Sequence, residues 1–163
     1  MRILENEKIM VQIADLGAEL CSVLDKESGL ERIHDADPKV WNRHAPFLFP
    51  FVGKVVNGVY RVEDKEYKMD AQHGFARDMV FECVEKSYKK VTHKLVSTEE
   101  TKEIYPFEYE LYITHELDDK NPRLLKINWE VKNTGDNTMY YFIGGHPGFS
   151  TPEKDPKAKE EYY

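Results

Sequence analysis

The sequence predicts an all-β protein, an antiparallel β-sandwich, and three observations carry that prediction. Apolar and polar residues alternate with a period of two along several stretches. Turn-forming clusters separate those stretches at intervals of roughly 8–12 residues. Helical periodicity is nearly absent. The length, 163 residues, suits one domain with a single core.

Each element follows in chain order. Ile9, Val11 and Ile13 alternate near the start, and Lys26-Glu27-Ser28-Gly29 forms a turn. In Asp37-Pro38-Lys39-Val40-Trp41, Asp37 is placed to cap free backbone N–H groups and Pro38 suits a first helical position, so one short helical turn is expected. Tyr60 and Val62 lead into Glu63-Asp64-Lys65-Glu66, and Tyr67 and Met69 lead out, which reads as a hairpin with a polar turn. Val91, His93 and Leu95 form a strand, and Glu99 to Glu103 a short helix before Pro106. Tyr109, Leu111 and Ile113 alternate with Glu110, Tyr112 and Thr114. After the turn Asp118-Asp119-Lys120-Asn121-Pro122, the set Leu125, Ile127, Trp129, Val131 alternates strictly with Lys126, Asn128 and Glu130. The turn Asn133 to Asn137 leads to a last strand carrying Met139, Tyr141 and Ile143. The sandwich is expected over 1–152, and 153–163 reads as a polar, solvated tail.

Composition narrows the function. With 23 Lys and Arg against 30 Asp and Glu, the formal charge is -7, which argues against a nucleic-acid or anionic-membrane surface. The longest apolar run, Ala45 to Gly53, holds two prolines and falls far short of the roughly 20 residues of a membrane-spanning helix. Glu5, Glu7 and Lys8 interrupt the first ten residues, so no secretory signal is expected. Cys21 and Cys83 read as reduced packing residues of a cytoplasmic protein. No paired-histidine or Cys-x-x-Cys spacing predicts a metal site, and no glycine-rich phosphate loop or Gly-x-Ser-x-Gly elbow is present.

Three stretches place polar residues where a strand would not. In Gln72-His73-Gly74-Phe75-Ala76-Arg77, a histidine is followed by a glycine that permits a tight turn or a close ligand. In Gly144-Gly145-His146-Pro147-Gly148-Phe149, a strand runs into flexible glycines and a histidine fixed by proline. The third, Ala45 to Gly53, ends at Lys54, near Asn57-Gly58. Each has an ordinary reading. A histidine beside glycine is commonly a hydrogen-bonded loop residue, Phe47, Phe49 and Phe51 read as core, Lys54 as a surface charge, and Arg77 as a partner for a carboxylate. His34, His44, His93 and His115 read as ordinary, the last two as packing residues inside strands. The chemistry left open is proton transfer by imidazole, whose pKa of about 6.5 allows both directions near neutrality.

In order, Gly17-Ala18-Glu19-Leu20, Trp41 with Pro46-Phe47-Leu48-Phe49-Pro50, Gly53-Lys54, Asn57-Gly58-Val59-Tyr60, His73-Gly74-Phe75-Ala76-Arg77, Tyr105-Pro106-Phe107 and Gly145-His146-Pro147-Gly148-Phe149 resemble the aldose 1-epimerase (galactose mutarotase) family, bacterial branch. The resemblance implies the family's antiparallel sandwich and interconversion of the α and β anomers of a free hexose, without a cofactor. A base takes the proton of the anomeric hydroxyl while an acid protonates the ring oxygen. His146 matches the histidine that protonates that oxygen, and His73 the second histidine, which hydrogen-bonds the sugar nearby. Lys54 stands where the family commonly has arginine, keeping the charge without the planar fork of donors. Asn57 and Arg77 complete the implied substrate contacts.

Family members are about twice as long, and their glutamate base lies in the second half. The resemblance therefore implies impaired catalysis for this length of chain, and a sheet face left uncovered that favours self-association. A non-catalytic carbohydrate-binding protein and a hexose-6-phosphate 1-epimerase are the alternatives.

Overall fold

The computed structural model describes residues 1–150. The alternating stretches fold as antiparallel strands. β1 (Arg2–Glu5), β2 (Ile9–Ile13), β3 (Leu20–Asp25) and β4 (Leu30–Glu31) form one four-stranded sheet in chain order. β5 (Phe47–Leu48) follows, then the hairpin β6 (Val59–Val62) and β7 (Lys65–Lys68). β8 (Glu82–Lys86), β9 (Lys90–Val96), helix α1 (Glu99–Ile104), β10 (Tyr109–Leu117) and β11 (Leu125–Asn133) come next. The second four-stranded sheet runs β11-β10-β9-β8, and β12 (Gly144–Gly145) pairs with β5. Among the described residues no helix is long and apolar enough to cross a membrane.

Period-two patterning explains the layers. Along β10 every second side chain from Tyr109 to Leu117 is buried, and Ile9, Val11 and Ile13 do the same in β2. One buried cluster joins Leu111 and Ile113 to Phe47, Phe49, Phe75 and Tyr105. A second joins Val91 and Leu117 to Leu4, Val11 and Ile13 of the first sheet. The turns follow their sequence chemistry: the Asp25 carboxylate accepts from the N–H groups of Glu27 and Ser28, and Asp118 from those of Lys120 and Asn121. At Asp37 the carbonyl accepts from Val40 and Trp41 and the carboxylate from Lys39, a single helical turn. In α1 the Thr98 and Thr101 side chains each accept from the other's N–H, a reciprocal cap.

Three expectations need correction. The hairpin turn is tighter than expected: Val62 pairs with Lys65, so only Glu63 and Asp64 form the turn and Glu66 belongs to β7. Met139 to Ile143 is not a strand; its backbone contacts include only isolated bonds, such as Phe142 N–H to the Pro50 carbonyl. An alternating sequence cannot form a ladder without a neighbour in register. β11 is a strand, but the face carrying Ile127 and Trp129 is not sealed: these are 37% and 40% exposed, on the outermost strand of its sheet. Tyr140 and Phe142 are also exposed. The tail 153–163 lies outside the described residues.

The two sheets are tied by a partly buried polar link. The Asp15 carboxylate, just past β2, accepts from the Arg2 guanidinium of β1 at 2.8 and 3.0 Å and from His93 Nε2 of β9 at 2.9 Å. Arg2 and His93 together hold the Asp15 pKa down, to about 2. Beside His93, on the same face, His115 is fully buried, with neither ring nitrogen hydrogen-bonded among the described residues. Burial pushes its pKa down to about 3, and the neighbouring His93 adds to the effect.

Between its ordinary value and about 3, His115 takes up a proton in the unfolded chain but not in the folded one, so stability falls as pH falls. Urea unfolding should show a loss of roughly 2–3 kcal/mol between pH 7 and pH 4.5. His115→Leu should flatten that decline, and an unchanged decline in the variant would clear His115 of responsibility.

Candidate active site

The segment from Pro46 to Gly53 organises the site. It enters under the Glu19 carboxylate, which accepts from the N–H groups of His44 at 2.7 Å and Ala45 at 2.9 Å. Glu19 is placed by a turn in which Gly17 and Ala18 both have positive φ, and a Cβ at Gly17 would lie 2.7 Å from the Arg77 carbonyl. Phe47 and Phe49 then point into the core, as the sequence predicts, leaving the backbone of this segment free to pair on both sides.

His146 hangs from one side. Gly144 and Gly145 pair with Leu48 and Phe47, and His146 N–H donates to the Pro46 carbonyl at 3.1 Å. His73 hangs from the other. Phe49 and Gly74 form a parallel bridge, His73 N–H donates to the Gly53 carbonyl at 2.7 Å, and Gly53 N–H donates to His73 Nδ1 at 2.9 Å. The two imidazoles, 73 residues apart in sequence, thus stand with ring centroids 5.8 Å apart and planes inclined at 54°. His146 is exposed and His73 half-buried, so the pair faces outward.

The Gly53 N–H fixes the chemistry of His73. A nitrogen that accepts a backbone N–H carries no proton, so the neutral ring bears its proton on Nε2. Partial burial lowers the His73 pKa, and the charges of Arg77 and His146 lower it further. His73 is therefore set up as a neutral donor through Nε2. His73 has a φ of 68° and Gly74 one of 72°, consecutive left-handed residues.

Arg77 lies in the turn Ala76–Asp78, largely covered, and its charge reaches His73. Its Nε has no hydrogen-bond partner among the described residues; Asp78 is 3.7 Å away and binds Arg43 more closely, at 2.5 Å. Burial and the neighbouring Arg43 push the Arg77 pKa down. Lys54 and Asn57 are both exposed: Lys54 is the residue after Gly53, and Asn57 occupies a left-handed turn position at φ 56°.

Some contributors escaped the sequence reading. The Trp41 indole stands 5.2 Å from the His146 ring, and the Gln72 amide lies 3.2 Å from His73 Nε2. Glu19 shapes the segment without reaching the rings. The signal for Trp41 and Glu19 was present as motif residues, but no spacing rule links position 41 to position 146. Among the described residues no carboxylate hydrogen-bonds either ring, and no cluster of three metal-ligating side chains occurs.

The aldose 1-epimerase family model matches residues 2–162. A galactose mutarotase related enzyme from Lactobacillus acidophilus is similar in structure at 39% identity and a TM-score of 0.89, over 95% of this chain and 50% of that one. A galactose mutarotase-like protein from Lactobacillus casei aligns at 40% identity and a TM-score of 0.88, over 94% and 51%. Protein LacX (chromosomal) of Lactococcus lactis subsp. lactis is 35% identical over 98% of this chain and 54% of its own length. The chain thus spans about half the length of the relatives it matches.

The tie at Gly74 has a measurable cost if broken. A Cβ there would sit 2.2 Å from the Phe49 carbonyl oxygen, whereas at Gly29, also left-handed, nothing lies within 4 Å. Gly29→Ala should cost about 1 kcal/mol in urea unfolding, the price of the backbone conformation alone. Gly74→Ala should cost about 3 kcal/mol or more, because backbone must move. Equal losses would mean that the close approach at Phe49 is not maintained in solution.

Proposed function

Because this chain belongs to the aldose 1-epimerase family, we propose that it acts on the anomeric centre of a free hexose, with His146 as the acid at the ring oxygen and His73 as the hydrogen-bond donor beside it. One observation carries the reading: two imidazoles from distant parts of the chain meet 5.8 Å apart on an open face. An oxygen placed between them can take a hydrogen bond from His73 Nε2 while His146 delivers a proton. Protonation of the ring oxygen loosens the bond from C1 to that oxygen as the anomeric hydroxyl gives up its proton to solvent water. The ring opens, the bond between C1 and C2 rotates, and closure on the other carbonyl face returns the proton. Lys54, Asn57 and Arg77 are the proposed hydroxyl contacts, and the Arg77 charge is close enough to act on His73. The neighbouring charges of Arg77 and Arg43 favour, as a second reading, a hexose carrying a phosphate.

The acid side of the reaction is assigned to this chain, and no carboxylate among the described residues stands at the rings to act as base. Loss of one general base typically costs 10²–10⁴-fold, so turnover by the isolated chain should be slow. Polarimetry on freshly dissolved α-galactose or α-glucose measures it. Anomerisation should exceed the spontaneous rate, His146→Asn should return it to that rate, and Lys54→Ala should reduce it by roughly tenfold or less. If His146→Asn and Lys54→Ala act equally, the acid is misassigned. No acceleration together with sugar-dependent amide shifts would establish carbohydrate binding without catalysis. Faster turnover of a hexose 6-phosphate than of the free sugar would establish the second reading.

We also propose that the chain associates with itself through the outer edge of β11. Among the described residues that edge leaves backbone N–H and C=O groups unpaired beside exposed Ile127 and Trp129, the arrangement that templates strand addition. Sedimentation should show a dimer or larger species that Ile127→Lys weakens, and a stable wild-type monomer would refute it.

A further inference from the structure

We propose that Trp129 and Trp41 are positioning residues for His146, gripping its loop at the two glycines that flank it. The inference rests on the reading of His146 as the acid. Its geometry is independent of that reading.

The loop Gly145-His146-Pro147-Gly148 lacks side chains at both ends, and an indole fills each vacancy. At Gly145, a Cβ would lie 3.2 and 3.3 Å from Cζ2 and Cη2 of Trp129. The Trp129 ring is itself propped edge-on against Phe47, with centroids 5.5 Å apart. Phe47 is the residue whose backbone pairs with Gly145. Ring, backbone and glycine thus form one closed contact. At Gly148, a Cβ would lie 2.8 Å from Cζ3 of Trp41 and 2.9 Å from the His34 Cβ. Trp41 is held in turn: its ring stacks on His34 at 6.0 Å and 22°, and its carbonyl meets His34 Nε2 at 3.0 Å. The Gly148 backbone is bonded on both sides, its N–H to the His44 carbonyl at 2.8 Å and its carbonyl to the His34 N–H at 2.9 Å.

Between these two grips the His146 ring rests against Trp41 at 5.2 Å and faces His73 at 5.8 Å. His146 is exposed, and its side chain makes no hydrogen bond to hold it among the described residues. Packing from the indoles therefore supplies the fixity that hydrogen bonds supply to His73. The glycines allow the approach: with a methyl at either position the indoles would stand further off. A misplacement of the acid by about 1 Å can cost about 100-fold in rate, so this grip bears on turnover and not on the identity of the sugar.

The test reads position and rate separately. The His146 imidazole resonances are identified in NMR spectra by their loss in His146→Asn. Trp41→Ala and Trp129→Ala should each shift or broaden those resonances while leaving the His73 resonances in place, and Trp41→Phe and Trp129→Phe should restore most of the wild-type pattern. Where the full chain anomerises sugar, the alanine variants should lower kcat by roughly 10- to 100-fold with KM changed much less. Folded alanine variants in which the His146 resonances do not move overturn the proposal. Should Trp41→Ala fail to fold, Trp41→Phe and Trp129→Ala decide it by the same readout. A wild-type chain with no anomerase activity would refute the proposed function and leave the positional test intact.

Discussion

The site depends on a pair of hydrogen bonds between Gly53 and His73. Gly53 gives its N–H to the imidazole and takes the N–H of His73 in return, at 2.9 and 2.7 Å. With the bridge from Phe49 to Gly74, these bonds fasten a left-handed turn to the far end of the Pro46 to Gly53 segment. His146 is fastened near its other end, at Pro46 and Phe47. One short extended segment sets the spacing of both rings, and the hydrophobic core fixes that segment by burying Phe47 and Phe49. Core packing and site geometry are one constraint seen from two sides.

The same two histidines are held by different physics. Backbone donation decides the tautomer of His73 and disfavours its charged form. His146 receives no such bond and is surrounded by rings and glycines. Two chemically identical side chains are thereby made unequal. The buried histidines of β9 and β10 show a third case. His93 is paired with Asp15 and links the sheets, while His115 packs beside Phe47 without a hydrogen-bond partner among the described residues.

Much of the fold was legible. Strict alternation located β2, β9, β10 and β11, the Thr98 to Thr101 region yielded a capped helix, and Asp and Asn turns fell where the sequence placed them. Period two reports a strand's two faces but not whether a neighbour exists, which is why Met139 to Ile143 was misread and why Ile127 and Trp129 remain open to solvent. In the site, His73 and His146 were legible from their glycine contexts and family motifs. Their meeting was not, because it arises from pairing on both sides of residues 46–53. Lys54 and Asn57 are exposed, and a local pattern does not say what an exposed polar side chain faces. Glu19, Trp41 and Trp129 act across long sequence separations that no local pattern encodes.

The Glu19 carboxylate under His44 and Ala45 carries a kinetic consequence. It stands just before β3 of the first sheet, His73 in a central loop and His146 near the end of the described residues, so nothing local can pre-assemble this surface. Closing such distant contacts is entropically slow. During synthesis the early strands would wait, with their carboxylate clamp in place, until the last glycines emerge. Both rings would then reach their places late, when residues 144–148 pair with the segment that the Glu19 clamp holds.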